Sequence, residues 1–521
     1  FVLATQGNME SLAETVYPYV DRWIAAAYSL GVYVEPTLVL VPEALKSKVS
    51  IVADSVGMDA ETVAMVLGLF LCYPLGGIMS VVPVGAPKHL FSFLLGAFLL
   101  QFVLGVQWIH QLLSTMMCYF CFQVFSPSVN RYLVPAIAIS YCIVGHLHRQ
   151  YINYMGWDLD FTGPQMVVTI KLYSLAWNLY DGHVMRESKK GQELPRATSR
   201  CKDFCVDEVP NLLNYLGYVF CFSTVLAGPS FEYSTYLAAA SGSNLMKGGK
   251  LVPPSRFKPV LVPLVQSLCA LVVYVAICPN FPLTNTVSQK LRPYPLEGDT
   301  SLYTLGFWKG YAFLFISLGF NRSKYYFAWK NAQGSCNTWY AGFEGHEKEY
   351  QKDAAIQGWE LTNNVDLWRC ETASNVQMGT KFWNKKTALW LNRYVYARSG
   401  GSLAATYFMS AFWHGFYPGY YMFFMSLPLL TMCERFGRAK LSWRFSSPGD
   451  GRFTAWGCTT IVTTHLLLAY CSVPFVFLSL EWSWEAWREL KFFGHSVMLV
   501  FIGIMSVLPS DPNRGGKKKK V

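Results

Sequence analysis

Apolar residues in this chain come in runs, and the length of those runs leaves few architectures open. A membrane span needs about 20 mostly apolar residues to cross ~30 Å of hydrocarbon. Residues 63–83, 89–106, 108–125, 132–145, 212–228, 260–279 and 302–320 come close to that requirement, as do 402–431, 453–480 and 491–508, while 162–180 is weaker. The length rule predicts roughly ten or eleven spans, several of them short or broken by Pro and Gly. The bilayer core holds no water, so backbone groups must pair internally, and only helices or a closed barrel satisfy that demand. These runs are continuous rather than alternating, which excludes barrel strands. An all-helical, polytopic integral membrane protein is expected. Composition agrees: 14% of residues are charged and 52% hydrophobic, where a soluble chain carries roughly 25% charged residues.

The formal net charge of +11 is read as topology rather than as a nucleic-acid footprint, because the basic residues cluster between apolar runs. Lys189, Lys190, Arg196, Arg200 and Lys202 fill one loop, and Lys247, Lys250, Arg256 and Lys258 another. Arg435, Arg438, Lys440, Arg444 and Arg452 fill a third. Positive loops tend to stay cytoplasmic, so these loops and the tail Lys517–Lys520 are expected on that side. The link 481–489 is poorer in Lys and Arg, and its Trp482, Trp484 and Trp487 suit an interfacial aromatic belt. Residues 321–401 are basic yet must end near the opposite leaflet, a conflict that a re-entrant segment removes. The tail puts Lys518 and Lys519 at the fourth and third positions from the C-terminus. That spacing resembles the dilysine signal for return to the endoplasmic reticulum; a polybasic patch on anionic lipid is the alternative.

No basic stretch followed by a short apolar core marks a secretory signal near the start. The chain opens on Phe1 rather than Met, so its natural start is expected upstream. Asp59 and Glu61 fit the opening turn of the first strong span. Many of the Cys residues sit inside apolar runs, among them Cys72, Cys142, Cys269 and Cys471, and read as small buried hydrophobes. Neither Cys118 with Cys121 nor Cys201 with Cys205 has the complement that a four-ligand zinc site needs.

Chemistry concentrates in residues 411–421, where His414 sits in a long apolar run without an acidic neighbour. An ionisable group at membrane depth is costly and usually faces a cavity, a partner or a pathway. A neutral imidazole, with an ordinary pKa near 6.5, is a usable proton acceptor. Gly415 and Gly419, four residues apart, are expected on one helix face with room for a ligand. A tight helix crossing with His414 merely hydrogen-bonded is the structural alternative. His146 and His148, beside Arg149 at a span end, read as interfacial, and His465 is the fallback base.

Four blocks together resemble the membrane-bound O-acyltransferase family in its lysophospholipid acyltransferase branch. Trp413, His414, Gly415, Gly419, Tyr420 and Phe424 fall in register with its histidine motif WHGxxxGYxxxF. Trp383, Asn384, Thr387, Trp390 and Leu391 resemble its asparagine motif WNxxTxxWL. Gly228, Pro229, Phe231, Glu232, Tyr233 and Tyr236 resemble GPxFEYxxY, and Arg322, Lys324, Tyr325, Tyr326 and Trp329 resemble RxKYYxxW. Residues 161–166 and 178–182 look like the fungal and plant members. Any one block is weak alone; four in the family's order are specific.

The resemblance implies a helical bundle around a tunnel, with acyl-CoA entering from the cytosol and lysophospholipid from the membrane side. It divides the chain into a polar and amphipathic segment (1–60), a transmembrane catalytic domain (61–510) and a basic cytoplasmic tail (511–521). In that frame His414 is the general base, taking the proton of a free glycerol hydroxyl as it attacks the thioester. Asn384 cannot take a proton; its amide donates to the developing oxyanion or holds the hydroxyl. A bundle hydrogen bond worth ~0.6 kcal/mol is the plainer alternative. Arg322 and Lys324 meet CoA phosphates or snorkel to the interface. Glu232 orients a partner or pairs with a basic residue, and Tyr325, Tyr326 and Trp329 are packing and interface anchors first. Direct transfer needs no metal, and no cofactor beyond acyl-CoA as co-substrate is expected. Apolar span faces meet lipid or a second protomer equally well, so oligomeric state stays open. Two other readings remain at this level: an acyltransferase of the same family acting on a sterol, diacylglycerol or protein, and a lipid transporter or scramblase with His414 as proton relay.

Overall fold

The computed structural model describes residues 6–34, 41–156, 158–188, 193–283, 306–346, 356–441 and 454–509. Helices dominate, and the described strands are one short antiparallel pair, Met246–Lys247 with Lys250–Leu251. Lys189, Lys190, Arg444, Arg452 and the tail Lys517–Lys520, including Lys518 and Lys519, lie outside the described residues. The chain forms two compact units whose segments interleave in sequence. The first comprises Phe1–Cys269, Tyr325–Asn364 and Lys386–Phe416, the second Ala270–Lys324, Val365–Lys385 and Tyr417–Val521.

The first unit begins with α1 (Gln6–Val34), α2 (Glu43–Val56), α3 (Ala60–Val81), α4 (Ala86–Leu104), α5 (Ile109–Val124), α6 (Pro127–Ile152) and α7 (Thr162–Glu187). The start of α3 is as expected: the Asp59 carboxylate accepts the Thr62 N–H at 2.6 Å, and Glu61 sits in the first turn, where the helix dipole favours an acid. The α6–α7 hairpin frames the site described below. An Arg149–Asp160 ion pair at 2.9 Å ties its turn, and Gly145 lets the Phe161 ring close onto α6.

Among the described residues, five helices are long and apolar enough to cross a membrane: Ala60–Val81, Ala86–Val124, Pro127–Ile152, Phe257–Asn280 and Ala455–Phe477. A sixth arises if Leu480–Glu489 and Phe493–Val507, bent by 68°, form one span. That is about half the expected number, and the reasons are local. The runs 89–106 and 108–125 are joined by a tight turn at Gly105–Trp108 into one 39-residue candidate. The run 302–320 is described as Phe307–Asn321, whose 15 residues reach only about 22 Å. The run 212–228 stops being helical at Val219, and the fully buried Lys171 ammonium satisfies the freed carbonyls of Tyr218 and Val219, with the Thr224 hydroxyl, each at 3.0 Å. The run 402–431 breaks at Gly415. In the second unit the aromatic belt is also trimmed: Trp484 is exposed, but Trp487 is buried, stacked on Tyr470 and donating to its carbonyl at 3.1 Å.

Candidate active site

His414 is the last residue of the helix Leu403–His414, which Ser402 caps by accepting the Ala405 N–H at 3.2 Å. Gly415 leaves the helix at φ +119°, a conformation that excludes most side chains, and its N–H bonds the Ala411 and Phe412 carbonyls at 3.2 Å. The next helix starts at Pro418, where a missing N–H costs nothing. Gly415 and Gly419 therefore do not share a helix face, contrary to expectation. Nor does Gly419 leave room for a ligand. In the second unit its N–H donates to the Leu478 carbonyl at 2.7 Å, and a Cβ there would fall 2.0 Å from the Pro474 oxygen.

The imidazole of His414 is oriented by a hydrogen bond to its own helix: Nδ1 lies 2.6 Å from the Ser410 carbonyl. A carbonyl only accepts, so Nδ1 carries the hydrogen and Nε2 carries the lone pair. The ring is half-buried. Behind it stands a residue that the sequence reading placed at the interface. His146 of α6 is buried, and its Nε2 lies 3.1 Å from the carbonyl of Trp413, the residue before His414. Its ring fills the space beside Gly415, where a Cβ would meet His146 Cγ at 3.2 Å. Membrane-depth burial was the only signal for His146 in the sequence, and the neighbouring Arg149 obscured it. Trp413 completes the anchorage: its indole N–H donates to Met166 of α7 at 3.1 Å, and its ring packs in a buried cluster with Tyr173, Trp390 and Tyr394.

Both alternatives for Glu232 hold at once. One oxygen takes the Arg393 guanidinium at 2.9 Å and the other the Asn178 amide at 2.9 Å, while the Tyr394 hydroxyl donates to Asn178 at 2.7 Å. Gly228, Pro229 and Tyr233 are buried around it, with the Phe231 carbonyl accepting from Tyr218 at 2.9 Å. A second carboxylate was missed. Asp181 takes both Nη atoms of Arg398, at 3.0 and 2.5 Å, and the Thr198 hydroxyl at 2.8 Å. Nearby Cys205 is structural: its thiol donates to the Cys201 carbonyl at 3.7 Å, and burial, with the Asp181 carboxylate adding to it, pushes it up to about 12. Thr387 is buried in the short helix Lys385–Trp390. Tyr326 is buried, and Tyr325 and Trp329 lie ring to ring at 5.6 Å, as packing groups.

The second unit carries the other motif residues. Asn384 stands between the helix Val376–Phe382, whose end Trp383 caps, and Lys385–Trp390. Its φ of +44° is left-handed, a conformation that Asn tolerates better than most residues. Arg322 is ion-paired with Glu371, at 3.2 and 3.0 Å, and half-buried Lys324 follows in the first turn of Ser323–Thr338. Tyr420 packs its ring 5.0 Å from Phe475. His465, the fallback base, has its Nε2 buried without a hydrogen-bond partner among the described residues.

The family model for the membrane-bound O-acyltransferases (MBOAT) matches residues 149–479. That span is well over half of the chain and includes all four motif blocks. Membrane-bound glycerophospholipid O-acyltransferase 1 of Mus musculus is 29% identical over 441 residues, covering 82% of this chain and 85% of the relative. Lysophospholipid acyltransferase 6 of Drosophila melanogaster is 29% identical over 473 residues, which is 87% of this chain and 62% of the fly protein. The lysophospholipid acyltransferase of Schizosaccharomyces pombe is 27% identical over 473 residues, 86% of this chain and 87% of the yeast protein. The chain belongs to the membrane-bound O-acyltransferase family and is an acyltransferase. The expected family, helical membrane class and enzyme class are thereby borne out.

Proposed function

We propose that this protein transfers an acyl group from acyl-CoA to the free glycerol hydroxyl of a lysophospholipid, with His414 as general base. In the step, the hydroxyl proton passes to His414 Nε2 while the oxygen attacks the thioester carbonyl. The C–S bond breaks, and the CoA sulfur leaves with the proton returned by the imidazolium. The observation that carries this reading is the Ser410 carbonyl on Nδ1, which orients the lone pair on Nε2. The names of the fly and yeast relatives support the acceptor class. Asn384 is assigned to the oxyanion or to the attacking hydroxyl. The test is purified protein given one acyl-CoA and a mixture of lysophospholipids, with CoA release and lipid products read together. Equal amounts of both are expected; lipid movement without CoA release would instead mark a transporter.

Variants at two positions probe the assigned roles. Asn384→Ala is expected to lower kcat by roughly 10²-fold, the scale of one lost oxyanion donor, with acyl-CoA affinity unchanged; a pure affinity loss contradicts the assignment. His146 positions the turn that carries His414, so His146→Ala is expected to lower kcat by up to about 10²-fold at nearly constant KM. His146→Gln, which still offers an N–H to the Trp413 carbonyl, should recover part of that loss. Equal kcat for both variants and wild type would show that the turn needs no such tether.

A further inference from the structure

A cavity of about 360 Å³ lies in the first unit between α6, α7 and the stretch that runs from Tyr394 to Met409. Its lining is mostly apolar and aromatic, with Ile139, Tyr173, Trp177 and Met409 among the walls, and it holds two guanidiniums, Arg131 and Arg398. The two are not equivalent. Arg398 is neutralised by Asp181. Arg131 makes no hydrogen bond or ion pair among the described residues. Its guanidinium lies over the rings of Tyr180 at 4.0 Å, Tyr132 at 4.6 Å and Trp177 at 5.9 Å. Arg131 Nε and the Trp177 indole Nε1 are both buried without an acceptor.

Aromatic faces attract a guanidinium but accept little from its N–H groups. A cation in the first turns of a candidate span, with no carboxylate opposite, marks a place where an anion is to be met. Arg suits phosphate in particular, because its planar fork takes two oxygens at once. The position along α6 narrows the ligand further. Of the α6 residues that line the cavity, Arg131 is the first and Ile139 the last, about 12 Å apart at helical rise. His146, against Trp413 and Gly415, lies another two turns along the same helix. From Arg131 to the level of His414 is thus roughly 22 Å, less the reach of the arginine side chain. A lysophospholipid has only two or three glycerol carbons between its phosphate ester and its free hydroxyl, so it cannot bridge that length. The pantetheine arm of CoA separates its phosphates from the thioester by a comparable distance.

We propose that the cavity seats the acyl-CoA donor, its phosphates on Arg131 and its arm along Ile139 and Met409 toward His414. The inference rests on the acyl-transfer reading and names a donor-binding residue for it. The test is direct binding of a non-reactive thioether, S-hexadecyl-CoA, and separately of a labelled lysophospholipid, to purified wild-type, Arg131→Gln and Arg131→Lys proteins. Arg131→Gln is expected to weaken the thioether by about tenfold, the scale of a lost charge-assisted contact, and to leave lysophospholipid binding unchanged. Arg131→Lys, which keeps the charge without the fork, should fall between. No change in thioether binding, a loss confined to lysophospholipid, or an equal loss of both each overturns the proposal. The thioether cannot transfer its chain, so binding is read independently of turnover. Wild-type protein that binds it through Arg131 yet forms no lipid product would keep this site and end the acyl-transfer reading.

Discussion

His414→Ala is expected to reduce acyl transfer by about 10²–10⁴-fold, the range that a general base contributes, in protein that accumulates and elutes like wild type. The lost group is specific. With Nδ1–H committed to the Ser410 carbonyl, Nε2 is the atom able to take a proton, and alanine supplies no replacement. The fold should tolerate the change, because His414 ends its helix and its side chain is only half-buried. His414→Gln sharpens the result: an amide can still donate to Ser410 but cannot act as a base, so it should be as inactive as alanine. Turnover of a labelled lysophospholipid in membranes distinguishes the cases. Glutamine-variant turnover within about threefold of wild type would assign the imidazole to positioning instead of proton transfer.

Arg398→Ala is expected to destabilise the protein by about 3–5 kcal/mol, the cost of stranding a buried charge. The Asp181 side chain is 0% exposed and that of Arg398 9%. Without the guanidinium, the carboxylate keeps the Thr198 hydroxyl as its remaining hydrogen-bond donor among the described residues, at 2.8 Å. Combining Asp181→Asn with Arg398→Met removes both charges, and that exchange is often close to neutral. Thermal unfolding in detergent should therefore place Arg398→Ala far below wild type and the double variant near it. Unfolding of Arg398→Ala at the wild-type temperature would mean that the pair supports nothing.

The span runs and the four motif blocks were legible because each is local, resting on apolar length or on the register of a few neighbouring residues. The break at His414 was partly legible: Gly415 before Pro418 is a stop followed by a start, but the surrounding hydrophobicity reads straight through it. His146 was not legible, because its partner carbonyl on Trp413 lies 267 residues away. The same holds for Lys171, whose value lies in carbonyls freed 47 and 48 residues later. Charged motif residues divided on the same principle. Glu232 and Arg322 were visible as charges, but the identity of Arg393 and Glu371 as their partners depends on how the chain folds back.

The long-range pair at Asp181 also sets a schedule for synthesis. Its carboxylate leaves the ribosome 217 residues before Arg398, an interval of about 10–40 s at ordinary elongation rates. Thr198, made 17 residues after it, is the early hydroxyl donor. Two whole segments of the second unit, Ala270–Lys324 and Val365–Lys385, are translated during that wait. The two units therefore mature concurrently, and a nascent chain released before Arg398 presents insertion machinery with an uncompensated acid among apolar helices.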